Sequence, residues 1–350
     1  MAPPPNDDSP LDRYVRQIRY GPIGEEGQRK LLAGRALICG CGALGSVIAN
    51  TLARAGVGYL RIVDRDFLET NNLQRQVLFD EQDVADALPK AVAAATKLRR
   101  INSEITIDAR VTDVDHTNVV ELTDEIDVIL DGTDNFETRM LLNDVALSRG
   151  VPWVYGGCLG GEGQTMTIVP GETACLRCLM SESPPPGTTP TCDTAGILGP
   201  IVNVIASLQS AEAIKLLAGR PEAVSRSLTV VDLWDNRIRQ IGLDTLAGAD
   251  DCPACKRSEF PWLSGERAGH SAVLCGRNAV QLNPRNSAGV SLDALAAKLA
   301  DVGRVTRNKY LLRLAVDDYL LTLFPDGRAI IGGTDDIATA RTVYAKYVGT

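Results

Sequence analysis

The chain of 350 residues is poor in histidine, in aromatic side chains and in positive charge. Its two histidines, His116 and His270, lie far apart in the sequence, so the pattern does not favour catalysis by histidine. Lysine and arginine number 36 against 44 aspartates and glutamates, which gives a net charge of −8. Because nucleic acids and membrane surfaces attract basic faces, this balance argues against both as general partners. A hydrophobic content of 45% with only 5% aromatic residues is typical of an aliphatic α/β core.

Two further patterns bear on the location of the protein. Residues 1–10, MAPPPNDDSP, lack the positive segment followed by an apolar one that marks a signal peptide, and we expect them to be disordered. The longest apolar stretch, residues 197–217, contains polar side chains such as Asn203, Gln209 and Glu212, so it is predicted to be a buried helix. We therefore expect a cytoplasmic protein that does not span a membrane.

Strand and helix patterns alternate from residue 36 to residue 156. This alternation predicts a doubly wound, mostly parallel Rossmann-like sheet. Later strand patterns, between residues 164 and 242, predict an antiparallel extension of that sheet. We expect one large domain over residues 11–257, a linker at 258–270, and a small α+β accessory domain at 271–350.

A glycine-rich turn follows the first predicted strand. Gly40, Gly42 and Gly45 form a G-x-G-x-x-G pattern, and Asp64 lies 19 residues after the last of them. In such a unit the first glycine allows a tight turn, the second lets the backbone approach phosphate, and the third brings the helix close to the sheet. The acid would hydrogen-bond a ribose. Alone, the pattern indicates a nucleotide site that binds NAD more often than ATP.

Charged residues farther along change the expected nucleotide. Arg75, Lys90 and Asp134 all follow the carboxyl ends of predicted parallel strands, where open α/β sheets bind ligands. A pyrophosphate can rest on a helix N-terminus with few cations, whereas a triphosphate needs several cations and an acid that binds Mg²⁺. Each residue taken singly is better explained as a surface residue or a helix cap. Their joint occurrence favours ATP with Mg²⁺.

Four of the nine cysteines form two C-x-x-C pairs, Cys175 with Cys178 and Cys252 with Cys255. Four thiolates suffice for a closed tetrahedral Zn²⁺ site, and redox-active pairs or free buried thiols are the alternatives. Cys192 follows a loop rich in proline and threonine and precedes the long apolar helix. A thiol near a helix N-terminus can be nucleophilic, although an inert cysteine in a loop explains the pattern equally well.

Taken in order, these segments resemble the ubiquitin-activating E1-like adenylyltransferases of the MoeB/ThiF/HesA type, over roughly residues 11 to 256. The resemblance is carried by RYVRQI (13–18), GCGALG (40–45), VDRD (63–66), NNLQRQ (71–76), PK (89–90), DGTDN (131–135), GCLGGEGQ (157–164), CLRC (175–178), CDTAGILGP (192–200) and CPAC (252–255).

The resemblance implies that ATP adenylates the C-terminal glycine of a small ubiquitin-like sulfur-carrier protein ending in Gly-Gly, with release of pyrophosphate. It implies a homodimer in which Arg16 reaches the γ-phosphate in the neighbouring subunit, and it makes Cys192 a candidate acceptor of the activated carrier. The catalytic candidates that it implies are Arg16, Arg75, Lys90, Asp134 and Cys192. The nucleotide-binding residues that it implies are Gly40, Gly42, Ala43, Gly45, Asp64, Asp66, Asn71, Asn72, Leu73, Gln74, Arg75, Lys90, Asp134 and Asn135.

Several alternatives stay open at the level of sequence. They are a tRNA-modifying dehydratase of the same superfamily, an NAD-dependent oxidoreductase, and an inactive scaffold that binds a carrier. The pathway is open as well, among molybdopterin, thiamine, tRNA thiolation and cysteine. The accessory domain departs from relatives with a rhodanese domain, because its one cysteine, Cys275, lies at its very start.

Overall fold

The computed structural model describes residues 11–184, 192–246, 251–267, 271–274, 278–282 and 290–348. The disorder expected for residues 1–10 lies outside this part of the chain. Contacts divide the chain into two compact units, residues 1–184 with 197–267 and residues 185–196 with 268–350.

An eight-stranded sheet forms the centre of the first unit. Its strands are β1 Arg35–Cys39, β2 Tyr59–Val63, β3 Thr106–Arg110, β4 Val128–Asp131, β5 Trp153–Leu159, β6 Glu162–Ile168, β7 Ser227–Asp232 and β8 Arg237–Gly242. Across the sheet the order is β3-β2-β1-β4-β5-β6-β7-β8. Neighbours from β3 to β5 are parallel, and those from β5 to β8 are antiparallel. The strand order reverses between β1 and β4, which is where such sheets bind ligands.

The helices lie in chain order as α1 Val15–Ile18, α2 Gly24–Ala33, α3 Ala43–Ala55, α4 Glu81–Ala85, α5 Lys90–Ile101, α6 Val119–Leu122, α7 Phe136–Arg149, α8 Leu176–Leu179, α9 Cys192–Ala195, α10 Gly199–Leu217, α11 Leu292–Leu299 and α12 Ile337–Tyr347. Short 3₁₀ turns occupy Asp12–Tyr14, Thr70–Asn72 and Pro221–Ala223. None of these helices, within the residues that the structure describes, is both long and apolar enough to cross a lipid bilayer.

The central strands of the first unit are buried on both faces. Ile38 packs on one face in a cluster with Leu52 of α3 and Ile205 of α10. Leu37, its neighbour in β1, packs on the other face with Met140 of α7. Parallel strands covered by helices on both sides need apolar residues at consecutive positions, which explains the continuous run Ala36–Cys39.

The second unit contains a six-stranded antiparallel sheet. Its strands, in the order β11-β12-β13-β14-β10-β9, are β9 Ser271–Leu274, β10 Ala279–Leu282, β11 Arg304–Arg307, β12 Leu312–Val316, β13 Tyr319–Leu323 and β14 Ala329–Gly332. Leu295 of α11 and Val343 of α12 share an apolar cluster with Leu312, Leu321 and Ile331 of the sheet. Ser291 and Asp336 cap the two helices with their side-chain oxygens.

The predicted fold class is confirmed, with a mostly parallel sheet, an antiparallel extension and a separate α+β unit. The sequence pattern missed β11 and β14, which are short and partly exposed. Residues 258–267, predicted as part of a linker, lie in the first unit. They are held there because Trp262 is buried and its backbone nitrogen donates to Asp144 Oδ2 at 3.1 Å.

Candidate nucleotide site and thiol cluster

The glycine-rich turn joins β1 to α3 by a very close approach of backbones. Gly40 has φ +84°, which favours glycine, and a Cβ there would lie 2.6 Å from the carbonyl oxygen of Gly132. A Cβ at Gly45 would lie 1.9 Å from the carbonyl oxygen of Gly40. Both glycines are therefore required by packing, as the sequence pattern predicted for the first and third positions of the turn.

Gly42, the second glycine, has a different environment. A Cβ there would meet one side-chain atom, Gln76 Nε2 at 3.8 Å, and no backbone within 4 Å. Helix α3 begins at the next residue, Ala43, and runs for 13 residues. The open face of this turn therefore lies at the N-terminus of a long helix, where backbone N–H groups and the helix dipole favour an anion.

Three charged residues surround the end of β2. Asp64 accepts hydrogen bonds from the backbone nitrogens of Cys41 and Asp66, both at 2.6 Å. Lys90, at the start of α5, is almost wholly buried, and its Nζ contacts Asp66 Oδ2 at 3.0 Å. Burial raises the pKa of the Asp64 carboxyl, and the charge of Lys90 acts in the opposite direction. These side chains form one connected group beside the glycine-rich turn.

Arg65 adds a second cation to this group, which the sequence analysis did not single out. Its Nη1 donates to both carboxylate oxygens of Asp113, at 2.9 and 3.0 Å. Burial works against the charge of Arg65, but Asp113, Asp66 and Asp134 raise its pKa. Asp134 therefore lies within electrostatic reach of Arg65.

The segment after β2 is folded back on itself by side-chain hydrogen bonds. Asn72 is buried, with its Oδ1 accepting from the backbone nitrogen of Glu69 at 3.2 Å and its Nδ2 donating to Asn71 Oδ1 at 2.7 Å. Arg75 Nη1 donates to the carbonyl oxygen of Asn71 at 2.8 Å. Leu73 and Gln74 lie between them, and the carbonyl oxygen of Gln74 approaches Gly199 at the start of α10. Among the residues of this segment that were predicted to bind the nucleotide, Asn72 stabilises the turn through its own side-chain hydrogen bonds.

The turn that follows β4 rests on a buried ion pair. Arg139 Nε lies 3.1 Å from Asp131 Oδ2, and both side chains are largely inaccessible to solvent. Arg139 Nη2 also donates to the carbonyl oxygens of Thr133 and Gly156, at 2.9 and 3.1 Å. Burial opposes the charge of Arg139, but Asp131 raises its pKa. Arg139 was not predicted, although a cation on an otherwise apolar helix face could have indicated it.

Asp134 and Asn135, at the tip of this turn, have different surroundings. Asp134 is exposed, and it makes no hydrogen bond or ion pair with the residues that the structure describes. The side chain of Asn135 accepts from the backbone nitrogen of Thr138 at 2.8 Å and so caps α7. Asn135 therefore has a structural role whether or not it also contacts a nucleotide.

The structure gives less support for the two remaining catalytic candidates. Arg16 is exposed on α1 and has no ion pair within the described ranges of the chain. Its helix is anchored by Gln17, whose Nε2 donates to the carbonyl oxygen of Ala55 at 2.9 Å. Cys192 begins the single turn α9 in the second unit, and its side chain lies outside the described part. Its predicted reactivity stays a prediction.

The two C-x-x-C pairs meet in space. The sulfurs of Cys175, Cys178, Cys252 and Cys255 all lie within 4.8 Å of one another, and three of the S···S distances are 3.6–3.7 Å. A tetrahedral ion with Zn–S bonds of about 2.3 Å would place its sulfurs about 3.8 Å apart. The cluster is therefore compatible with zinc, as the spacing predicted.

The thiol cluster is attached firmly to the sheet by α7 and α8. Asn143 Oδ1 accepts from the backbone nitrogen of Leu176 at 2.8 Å, which holds the first pair of cysteines against α7. Arg177 is buried, donates to the carbonyl oxygen of Glu259 at 2.8 Å, and stacks on the ring of Trp262. The cluster thus joins the middle of the first unit to its end.

These features define a nucleotide-binding α/β protein with a four-thiol cluster. The chain belongs to the ThiF family, whose model matches residues 14–254. It is 46% identical over 339 residues to the sulfur carrier protein ThiS adenylyltransferase of Bacillus subtilis (strain 168), covering 96% of this chain and 99% of that protein. It is 41% identical over 249 residues to the SAMP-activating enzyme E1 of Haloferax volcanii, covering 71% and 90%.

Solved structures share the fold. A crystal structure of E. coli MccB with MccA-N7isoASN superimposes with a TM-score of 0.61 at 24% identity, covering 71% of this chain and 76% of that one. At this level of identity the match supports the architecture and not the chemistry.

The ion pair under the β4 turn generates a stability prediction. We expect Arg139→Met to lower the free energy of unfolding by about 3–5 kcal/mol, because it leaves the charge of Asp131 buried without its partner. Arg149→Met, which removes an exposed partner of Asp124, should cost less than about 1 kcal/mol. Urea denaturation of both variants measures this difference. Equal costs would mean that the buried pair does not hold the turn.

Proposed function

We propose that the protein uses ATP to adenylate the C-terminal glycine of a small ubiquitin-like sulfur-carrier protein, with release of pyrophosphate. The observation that carries the proposal is the group of cations and acids beside the open glycine-rich turn, at the point where the strand order reverses. The names of the curated relatives agree with this reaction, since several are adenylyltransferases of sulfur carriers.

The residues of the site fit the demands of the reaction. A carboxylate must attack the α-phosphorus of ATP, so two anions are brought together and charge moves onto the leaving pyrophosphate. Lys90 lies beside the turn through its contact with Asp66, and Lys90 and Arg75 would offset that charge. The backbone around Gly42 and Ala43 would receive the phosphates, and Asp64 would accept from a ribose hydroxyl. No covalent bond to the protein is required for this step.

Mg²⁺ would be held by Asp134, which is exposed and free of hydrogen bonds within the described residues. Such an ion would neutralise phosphate charge and orient the triphosphate. Asp134 is also close enough to raise the pKa of Arg65 and Arg139. Two arginines therefore lie within electrostatic reach of this acid.

The remaining expectations concern partners. A homodimer would explain why Arg16 is exposed and has no ion pair among the described residues, because the arginine would complete the site of the neighbouring subunit. The carrier would end in Gly-Gly, as the resemblance implies. A cytoplasmic location is consistent with four reduced thiols in one cluster. An NAD-dependent reaction is less favoured, since it leaves Lys90, Arg75 and Asp134 without a role.

We also propose that the four-thiol cluster holds structural Zn²⁺. All four positions are cysteine, so no coordination position stays open for a substrate, which is the arrangement of structural sites. Metal binding would contribute to folding by fixing residues 252–255 to residues 175–178.

Cys252→Ser tests this zinc proposal. We expect the purified wild-type protein to contain one zinc per chain and the variant to contain much less, with a lower thermal midpoint. Cys158→Ser changes a cysteine outside the cluster and should retain the zinc. Metal analysis by mass spectrometry measures the content. A wild-type protein without zinc would contradict the proposal.

Exchange of labelled pyrophosphate into ATP tests the reaction itself. We expect the wild-type protein to catalyse exchange only with a sulfur carrier that ends in Gly-Gly, and not with the same carrier lacking those two residues. Asp134→Ala should lower the exchange rate at least about 100-fold, because it removes charge stabilisation in the transition state. Asp124→Ala, an exposed acid paired with Arg149, is the matched control and should retain activity.

Two outcomes would count against the reaction. Exchange that proceeds without any carrier would mean that another carboxylate is activated. Full exchange by Asp134→Ala would remove that residue from the mechanism.

A further inference from the structure

Gln76 is a buried polar residue whose carboxamide is not used to hold the described part of the chain. It is only 3% exposed, and its Oε1 is inaccessible to solvent and has no hydrogen-bond partner among the described residues. Its Nε2 likewise makes no hydrogen bond with the residues that the structure describes. Buried carboxamides are nearly always hydrogen-bonded, because an unsatisfied group loses its hydration without compensation. Gln76 therefore requires an explanation.

Other buried glutamines of the first unit show what the usual arrangement is. Gln209 Nε2 donates to the carbonyl oxygens of Asp131 and Val154, at 2.8 and 3.2 Å. Gln28 Nε2 donates to the carbonyl oxygen of Ala55 at 3.0 Å, and its Oε1 accepts from Gln17. Both use their amides to hold backbone. The Oε1 atoms of Gln209 and Gln76 are both buried without a partner, so Gln76 differs in its Nε2, which holds no backbone among the described residues.

The main chain fixes where the side chain of Gln76 lies. Its backbone nitrogen donates to the carbonyl oxygen of Asn72 at 3.0 Å, and its own carbonyl oxygen accepts from Phe79 at 3.1 Å. The side-chain Nε2 is the atom found 3.8 Å from the position of a Cβ on Gly42. The carboxamide thus lies against the open glycine of the turn, at the N-terminus of α3.

We infer that Gln76 is a further nucleotide-binding residue, whose Nε2 donates to a phosphate oxygen of ATP bound over Gly42. This inference rests on the proposed ATP site and adds a residue to it. A neutral donor at this point binds phosphate without adding charge to a site that already has Lys90 beside it.

The test compares two shape-conserving substitutions in the full-length protein. Gln76→Met keeps the length of the side chain and removes its hydrogen bonds, and Gln76→Glu places an anion beside the phosphates. Isothermal titration with Mg-ATP, without carrier, gives the dissociation constant, and thermal unfolding without ligand reports on packing. Gln82→Met and Gln82→Glu are matched controls, because Gln82 is exposed on α4.

We expect Gln76→Met to raise the dissociation constant of Mg-ATP about 10- to 100-fold, as for the loss of a hydrogen bond to a charged group. Gln76→Glu should raise it further, and the Gln82 variants should stay within about twofold of wild type. The thermal midpoint of ligand-free Gln76→Met should equal or exceed that of wild type, because the substitution removes an unsatisfied amide.

Each contrary result has a separate meaning. Binding by Gln76→Met within twofold of wild type would overturn the inference and leave the proposed ATP site intact. Equal weakening in both Gln76 variants, together with a lower ligand-free midpoint, would overturn it in favour of a packing role. A wild-type protein that does not bind Mg-ATP would instead overturn the proposed function.

Discussion

The rest of the site depends on the contact of two backbones that only glycine permits. The carbonyl oxygen of Gly40 lies where a Cβ of Gly45 would be 1.9 Å away and a Cβ of Gly132 would be 2.4 Å away. This contact brings the turn after β1 against the turn after β4. The N-terminus of α3 and the acidic turn that precedes α7 therefore face one site, although they are distant in sequence.

Charge is distributed unevenly in this acidic protein. The chain has a net charge of −8, yet buried or half-buried cations collect around the ends of β1, β2 and β4. Arg65, Lys90 and Arg139 each contact an acid, so the pocket is held together before a ligand arrives. Buried ion pairs contribute little net stability, because desolvation offsets the attraction. Their value here is that they fix the geometry of the turns, which reduces the reorganisation needed for reaction.

Much of this could be predicted from the sequence. The glycine pattern, the alternation of strands and helices, and the paired cysteines are local in sequence, so they indicated the fold, the nucleotide turn and the thiol cluster. Contacts between distant segments were not accessible in this way. The pairing of Asp131 with Arg139 and the unpartnered amide of Gln76 depend on packing in three dimensions. Asn135 illustrates the opposite difficulty, because its position predicted a ligand contact while its side chain caps α7.

The central claim is that this pocket is built for a triphosphate with a divalent cation and not for a dinucleotide. The wild-type protein can be titrated calorimetrically with ATP and Mg²⁺, with ATP and a chelator, and with NAD. We expect binding of ATP that weakens strongly when Mg²⁺ is removed, and no comparable binding of NAD. Tight binding of NAD together with indifference to Mg-ATP would contradict it.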